Sequence, residues 1–345
     1  MSFKSKIRNA KSLQSFLWWY KQMSIDLKFT KAIGHATDDK SWMRKQILFF
    51  IPTVVAGYIY TLFGKSKCIK INEKDKKKTF KHDLAIVAIV KNEGLNLPEW
   101  LCYHINLGFS KFLIYDNGSD DNIKDVLAPY IKDGIVEHIW YPGKDMQWRA
   151  YQDSLVRLRD DCRYIAYIDL DEFLVPKEGK TVLEIVQTLI DQHPYAGGVC
   201  MKWFNFGTSG HIERPKGLVI ENYTNRAVEG FIPCIKTIGN PRLMRSFVNP
   251  HVPIYEYGTF NINDQGCKNR ETRDNKGVSS LIHINHYFTK SEEEAKAKMM
   301  KGRADMLDVK RSWEEFQQRN RNDVHDEAAC RFIDAVKKEM EKRVY

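Results

Sequence analysis

The sequence predicts an α/β fold, a sheet with helices over its faces, on three observations. Strand-like and helix-like patterns alternate between residues 84 and 168, the order that builds a parallel sheet. The run Tyr164-Ile165-Ala166-Tyr167-Ile168 is apolar and β-branched in the manner of a buried strand, yet it ends in Asp169, Asp171 and Glu172. Finally, 345 residues of which 43% are hydrophobic supply a sizeable core. The strand-end acids carry the functional signal. An unpaired buried charge is costly, and open α/β sheets bind ligands at the carboxyl ends of their strands. Asp169 and Asp171, two apart, face the same way on an extended chain. Two hard oxygen ligands with positions to spare suit Mg²⁺ or Mn²⁺ carrying a diphosphate. A solvated acidic turn is the alternative reading. The apolar Phe173-Leu174-Val175 that follows favours a packed edge instead.

Charge divides the chain. The net charge is +10, and residues 1–80 hold 17 Lys+Arg against 5 Asp+Glu. The basicity therefore belongs to an N-terminal region, and the remainder is close to neutral. Anionic lipid is the partner its apolar content suits; no nucleic-acid motif accompanies it. The polar, basic first ten residues are not those of a cleavable signal peptide. Residues 13–23 gather Trp18, Trp19 and Tyr20 with lysines, a composition shared by membrane interfaces and packed helices. Residues 47–64 are uncharged and as a helix would extend about 27 Å, just short of a hydrocarbon core. A membrane-embedded helix kinked at Pro52 and a buried core helix both fit. Basic residues flank this run on both sides, so neither end is marked as external. The expectation is a monotopic or peripheral arrangement of residues 1–65 on the cytoplasmic face of a membrane. The lysines of 70–82 read as a solvated linker. The expected domains are 1–80 (basic, apolar, membrane-associating), 81–290 (catalytic) and 291–345 (a helical extension). Seven scattered cysteines without a C-x-x-C pair indicate free thiols in a reducing compartment.

Taken in order, Leu84–Val90 is a strand leaving through Lys91-Asn92-Glu93-Gly94, and Leu97–Leu107 an amphipathic helix. Lys111–Tyr115 is the second strand, and Asp116–Asp121 a turn of helix-capping composition. A short helix at 122–130, a strand at Gly134–Trp140, a helix at Met146–Leu158 and the strand at 164–168 follow. No G-x-G-x-x-G follows the first strand and no Walker A loop is present, which argues against dinucleotide-binding and P-loop proteins. Val182–Ile190 reads as a helix and Gly197–Phe206 as a strand. The strand's exit, Trp203 to His211, is either a sugar-stacking platform or a core aromatic cluster. Residues 211–280 show no clean periodicity. Ser280–Phe288 is a strand with His283 and His286, and from Ser291 a charged helical pattern begins, with Glu292, Glu293 and Glu294 in its first turn.

Five stretches, taken together and in this order, resemble glycosyltransferase family 92 and the related family-2-like bacterial enzymes. They are Ala88-Ile89-Val90-Lys91-Asn92-Glu93, Tyr115 to Asp121, Asp169-Leu170-Asp171-Glu172-Phe173, Trp203 to His211 and Ile284 to Ser291. The resemblance covers about residues 83–305. It implies the GT-A fold, a mixed sheet with covering helices, and a metal-dependent transfer from a nucleotide-diphospho-sugar, a UDP-sugar above all. The acceptor it implies is a glycan or glycolipid of cell-surface polysaccharide or lipopolysaccharide synthesis. By the same resemblance Asp169, Asp171 and His286 would hold Mn²⁺ or Mg²⁺. Lys91, Asn92, Glu93, Asp116, Gln147, Asp169, Lys290 and Arg303 would contact the donor, and Trp203, Phe206 and His211 the acceptor or sugar. Most of the family inverts, which requires a base; Glu213, Glu221 and Glu229 lie in the region, with Glu221 favoured. Two competing readings are a haloacid-dehalogenase-like phosphatase, from which Phe173 departs, and an inactive membrane scaffold on a transferase fold.

Overall fold

The computed structural model describes Ile59, residues 62–301 and residues 312–343. The expectations placed on residues 1–58, on most of the apolar run 47–64 and on Arg303 lie outside the described residues. The chain divides into two compact units, Met1–Lys67 and Cys68–Tyr345. Among the described residues no helix is long and apolar enough to cross a membrane. The second unit holds the sheet and its covering helices.

Its strands are β1 (His82–Val90), β2 (Lys111–Asp116), β3 (Val136–Trp140), β4 (Cys162–Tyr167), β5 (Glu172–Pro176), β6 (Ala196–Asn205), β7 (Asn225–Arg226), β8 (Ile235–Gly239), β9 (Met244–Phe247), β10 (Pro253–Tyr255), β11 (Phe260–Ile262), β12 (Lys268–Asn269), β13 (Ile282–His286) and β14 (Val324–His325). The helices are α1 (Leu97–Asn106), α2 (Ile123–Lys132), α3 (Gln147–Leu158), α4 (Val182–Gln192), the short α5 (Val219–Asn222), α6 (Glu292–Lys301), α7 (Trp313–Arg319) and α8 (Ile333–Glu341). One mixed sheet runs β12-β11-β6-β8-β4-β1-β2-β3, and β13 joins β6 to β5. β1 pairs in parallel with β2 and β4, and β2 with β3, as the alternating pattern requires.

The period-two geometry of β1 explains the layers. Leu84, Ile86, Ala88 and Val90 face the core that holds Trp100, Leu101 and Tyr103 of α1. Ala85, Val87 and Ile89 face the opposite core, with Tyr151 and Leu155 of α3. Both faces are covered, so the strand reads as a continuous apolar run. Each fully buried side chain of this size stabilises the fold by roughly 1.5–3 kcal/mol. α4 starts on a capping box, Thr181 with Glu184.

Three expectations are corrected. Residues 211–280 are not irregular throughout: β8 lies between β4 and β6, antiparallel to both. The stretch 70–82, expected as a solvated linker, is helical as far as residue 76. Over 68–76 the buried stripe is Cys68, Asn72 and Asp75 while the lysines face solvent. Asn72 Nδ2 donates to the Ala196 carbonyl at 3.2 Å, and Arg242 Nε donates to Asp75 Oδ2 at 2.7 Å. The stripe was hidden because two of its three members are polar. The C-terminal helices are docked rather than appended. α8 packs on α1, Asn106 Nδ2 reaches the Ala335 carbonyl at 3.3 Å, and β14 pairs with β7. All seven cysteines are free.

Candidate active site

A cleft of about 950 Å³ opens at the carboxyl ends of the parallel strands. It is lined by Lys91, Asn92 and Glu93 after β1, Asn117 and Gly118 after β2, Pro142 and Gly143 after β3, and Asp169 and Asp171 after β4. This is the edge where open α/β sheets bind ligands. The first two loops are bolted together. Asn92 takes a left-handed φ of 53°, which asparagine tolerates. Its backbone N–H donates to Ser119 Oγ at 2.9 Å, and its Oδ1 accepts from the Asp120 N–H at 2.9 Å. Gly94 N–H donates to Asp121 Oδ2 at 2.8 Å. A Cβ on Gly94 would stand 2.6 Å from Asn122 Oδ1, the end of an exposed side chain that would have to swing aside.

The turn from β4 to β5 holds the acids. α1 fixes it from below: Trp100 Nε1 donates to the Glu172 carbonyl at 2.9 Å, and Tyr103 Oη to the Leu174 carbonyl at 2.8 Å. Asp169 is gripped on three sides. Gln147 Nε2, at the start of α3, donates to Oδ1 at 2.9 Å; Lys236 Nζ donates to Oδ2 at 2.8 Å; and the Asp169 N–H donates to Glu172 Oε2 at 2.8 Å. Lys236 and Glu172 are fully buried, 3.6 Å apart, while about a third of the Asp169 side chain faces the cleft. Burial pushes the Glu172 carboxyl well up against the opposing Lys236 charge, and the neighbouring aspartates add to the rise. Burial opposes the charge on Lys236, but Asp169 and Glu172 hold its ammonium firmly protonated.

Asp171 points to the other wall. Lys298 Nζ, on α6, donates to its Oδ2 at 2.5 Å, and His286 Nε2 stands 3.7 Å from the same oxygen. Burial works to raise this carboxyl, yet Lys298 and His286 hold it well below the usual range. His286 is buried against Trp203, with ring centroids 4.0 Å apart, and burial lowers its pKa, with Asp171 pulling the other way. Its Nδ1 is buried without a hydrogen-bond partner, and Nε2 is the nitrogen that faces Asp171. Lys290 also lines the cleft, with a left-handed φ of 48°. No carboxylate stands within 4 Å of it among the described residues.

Of the residues singled out from the sequence, Lys91, Asn92, Glu93, Gln147, Asp169, Asp171, Trp203, His286 and Lys290 all line the cleft. Others are placed elsewhere. Asp116 is fully buried, accepting from the Ser119 N–H at 2.8 Å and facing His138 Nε2 at 3.0 Å. It shapes the loop that presents Asn117 and Gly118. Phe206 packs in the core beside Tyr287, and His211 Nε2 faces the Asn222 carbonyl at 3.2 Å, so neither reaches the cleft. None of the three base candidates lines it. Glu213 is exposed, Glu221 pairs with Lys337 at 3.0 Å, and Glu229 accepts from the Ser279 N–H at 2.8 Å. The cleft's further carboxylates are Glu293 and Glu294 of α6 and Glu315 of α7. Sequence reasoning missed these, together with Lys236 and Lys298. Glu293 and Glu294 were visible only as helix-starting charge, and a lysine inside a strand reads as solvent-facing.

The predicted three-ligand metal set is only partly assembled. Among the described residues no three His, Cys, Asp or Glu side chains stand close enough to hold an ion. Both oxygens of Asp169 are already used by Gln147 and Lys236. Asp171 and His286 do converge. One carboxylate and one imidazole, with the remaining positions left to phosphate oxygens and water, are a donor set that fits Mn²⁺ or Mg²⁺.

A covered mixed sheet with acids, a histidine and lysines gathered at its strand ends defines a class: an α/β protein built to take a charged ligand at that edge. The chain belongs to glycosyltransferase family 92, whose pattern matches residues 86–335. It is similar to a family 92 protein of Oryza sativa subsp. japonica, 29% identical over 147 residues, covering 42% of this chain and 25% of the rice protein. A family 92 protein of Arabidopsis thaliana is 26% identical over 191 residues, covering 53% of this chain and 31% of that protein. The matched region thus spans less than a third of the length of these curated relatives. Among solved structures, S. aureus TarS 1-349 is 12% identical with a TM-score of 0.32, covering 47% of this chain and 48% of that one. Glucosyl-3-phosphoglycerate synthase from Mycobacterium tuberculosis, in complex with Mn²⁺ and UDP-glucose, is 15% identical with a TM-score of 0.30, covering 60% of this chain and 76% of that one.

Proposed function

We propose that the chain transfers a sugar, with inversion, from a UDP-sugar to a glycan or glycolipid acceptor in the synthesis of cell-surface polysaccharide. The observation that carries this reading is the cleft at the strand ends of a family 92 chain, with Asp169 and Asp171 on its floor. Asn92, Glu93, Asn117 and Gly118 would bind and orient the nucleoside. Asp169, held in one orientation by Gln147 and Lys236, presents its exposed edge as a hydrogen-bond acceptor for donor hydroxyls. Asp171 and His286 would hold the divalent ion, Mn²⁺ or Mg²⁺. When bound it neutralises the charge that develops on the departing diphosphate. Lys290 stands where it can add to that neutralisation. Trp203, packed on His286, offers an apolar edge to a sugar face. The base that takes the acceptor's proton would come from the cleft carboxylates, with Glu293 and Glu315 replacing the earlier candidates.

The basic, apolar residues 1–65 would keep this cleft at the cytoplasmic face of a membrane, near a lipid-linked or membrane-anchored acceptor. The test is a thermal-shift series with nucleotide sugars and Mn²⁺, because a ligand bound only by the folded state raises its stability. Stabilisation by one UDP-sugar, lost in Asp171→Asn, is expected. No stabilisation by any nucleotide sugar would contradict the reading.

A further inference from the structure

His251 stands on the loop between β9 and β10 and lines the cleft with Trp203. Every polar atom of the residue but one is tied down. Its N–H donates to Asn249 Oδ1 at 2.9 Å, and its carbonyl accepts from Thr237 Oγ1 at 2.8 Å. Asn249 Oδ1 also takes the Val252 N–H at 2.9 Å, which stiffens the loop. The ring's Nδ1 faces the Ile235 carbonyl at 2.8 Å. A carbonyl can only accept, so Nδ1 carries the proton and Nε2 keeps a lone pair. Burial, with the Lys236 ammonium adding to it, pulls the ring's pKa down to about 4, so the imidazole is neutral at pH 7. Nε2 has no hydrogen-bond partner among the described residues and is not sealed from solvent. The ring meets Trp203 edge to face, with centroids 5.5 Å apart, and the same indole packs on His286. The result is an acceptor oriented before any ligand arrives, beside an apolar edge. A sugar ring offers what this pair can take: a C–H face for the indole and a hydroxyl proton for Nε2.

We propose that His251 is a specificity-determining residue at the sugar end of the cleft, its Nε2 accepting a hydrogen bond from one hydroxyl of the transferred sugar. This inference rests on the proposed function, since it presumes a nucleotide-sugar donor. UDP lacks the sugar, so the contact acts on UDP-sugars and not on UDP.

His251→Asn keeps a donor for the Ile235 carbonyl and loses Nε2; His251→Gln reaches the Nε2 position with an acceptor oxygen. His251→Phe, which keeps a ring against Trp203, replaces the first variant should it fail to fold. Binding of UDP, UDP-glucose, UDP-galactose, UDP-N-acetylglucosamine and UDP-glucuronate is measured by calorimetry in the presence of Mn²⁺. The Asn variant is expected to match wild type with UDP and to bind the UDP-sugar that wild type binds best about tenfold more weakly, about 1.4 kcal/mol, with part of the loss restored in the Gln variant. Equal weakening of UDP and UDP-sugar would mark a structural role, and unchanged UDP-sugar binding would leave Nε2 without a task. Either result overturns the assignment and leaves the transferase reading standing. A wild type that binds neither UDP nor any of the four UDP-sugars overturns the proposed function, and this assignment with it.

Discussion

Replacing Lys236 with methionine tests how the floor of the cleft is built. The ammonium is fully buried between Asp169, 2.8 Å away, and Glu172, 3.6 Å away. Methionine nearly conserves the volume and deletes the charge. Removing one partner of a buried ion pair costs about 3–5 kcal/mol, because the other charge is left unpaired. Asp169 keeps about a third of its side chain in solvent and Glu172 none, so the lower end, about 3 kcal/mol, is expected. For a body of this size that lowers Tm by roughly 6–12 °C. The loss must also depend on pH. Glu172 has a folded-state pKa well above its ordinary value, and without Lys236 it stands higher still. A carboxyl of this kind penalises the folded state only above its unfolded pKa. The penalty grows as pH rises toward the folded value. Wild type carries the same penalty up to its own folded-state pKa, so the deficit of Lys236→Met should widen only where the pH exceeds the wild-type Glu172 value, and it should not widen as the pH falls. Chemical denaturation at four pH values reads it. A deficit that widens as the pH falls, or one below about 1 kcal/mol, would refute the buried-pair account.

Other expectations follow from single contacts. Gln147→Ala removes a charge-assisted bond to Asp169 Oδ1 and should weaken UDP-sugar binding by about tenfold or more by calorimetry, with the fold intact. Gly94→Ala brings a methyl to 2.6 Å from Oδ1 of the exposed Asn122 side chain, which can rotate away; a loss under about 1 kcal/mol in denaturation is expected, together with weaker nucleotide binding where the two loops shift. Because burial lowers the pKa of His286, its imidazole takes up a proton at lower pH than an ordinary histidine. Mn²⁺ affinity in the presence of UDP should then fall with acid at a midpoint below the ordinary histidine value of 6.5; a midpoint at or above pH 6.5 would show a solvent-like histidine. Asp75→Asn breaks the anchor to Arg242 and should make residues 68–76 exchange amide hydrogens faster while leaving β1 protected.

Elements whose physics is local could be read from the sequence. Strands buried on both faces, such as β1 and β4, announce themselves as apolar runs, and the acids after β4 stand out because they interrupt one. β8 could not be read this way. Its Lys236 is neutralised only by residues about 65 positions earlier in the chain, and nothing local distinguishes a paired lysine from a solvated one. The helix at 68–76 was hidden for the same reason, since its buried stripe is completed by Asn240 and Arg242. Asp116 marks the complementary error. A carboxylate at a strand end invites a ligand, but here its two oxygens are used by Ser119 and His138. The base candidates failed because their positions were inferred from order along the chain. The carboxylates that reach the cleft come instead from α6 and α7, which return to it.

In the proposed function, Asp169 and Asp171 floor a nucleotide-sugar cleft used for group transfer. Donor turnover tests it most directly: release of UDP from UDP-sugars, with and without Mn²⁺, by the wild-type chain and by Asp171→Asn of equal thermal stability. Slow, Mn²⁺-dependent release from one UDP-sugar in the absence of acceptor is expected of wild type, with at least a hundredfold less from the variant, about 2.7 kcal/mol of lost transition-state stabilisation. Equal release by the two proteins, or none by either with any UDP-sugar, would contradict the account.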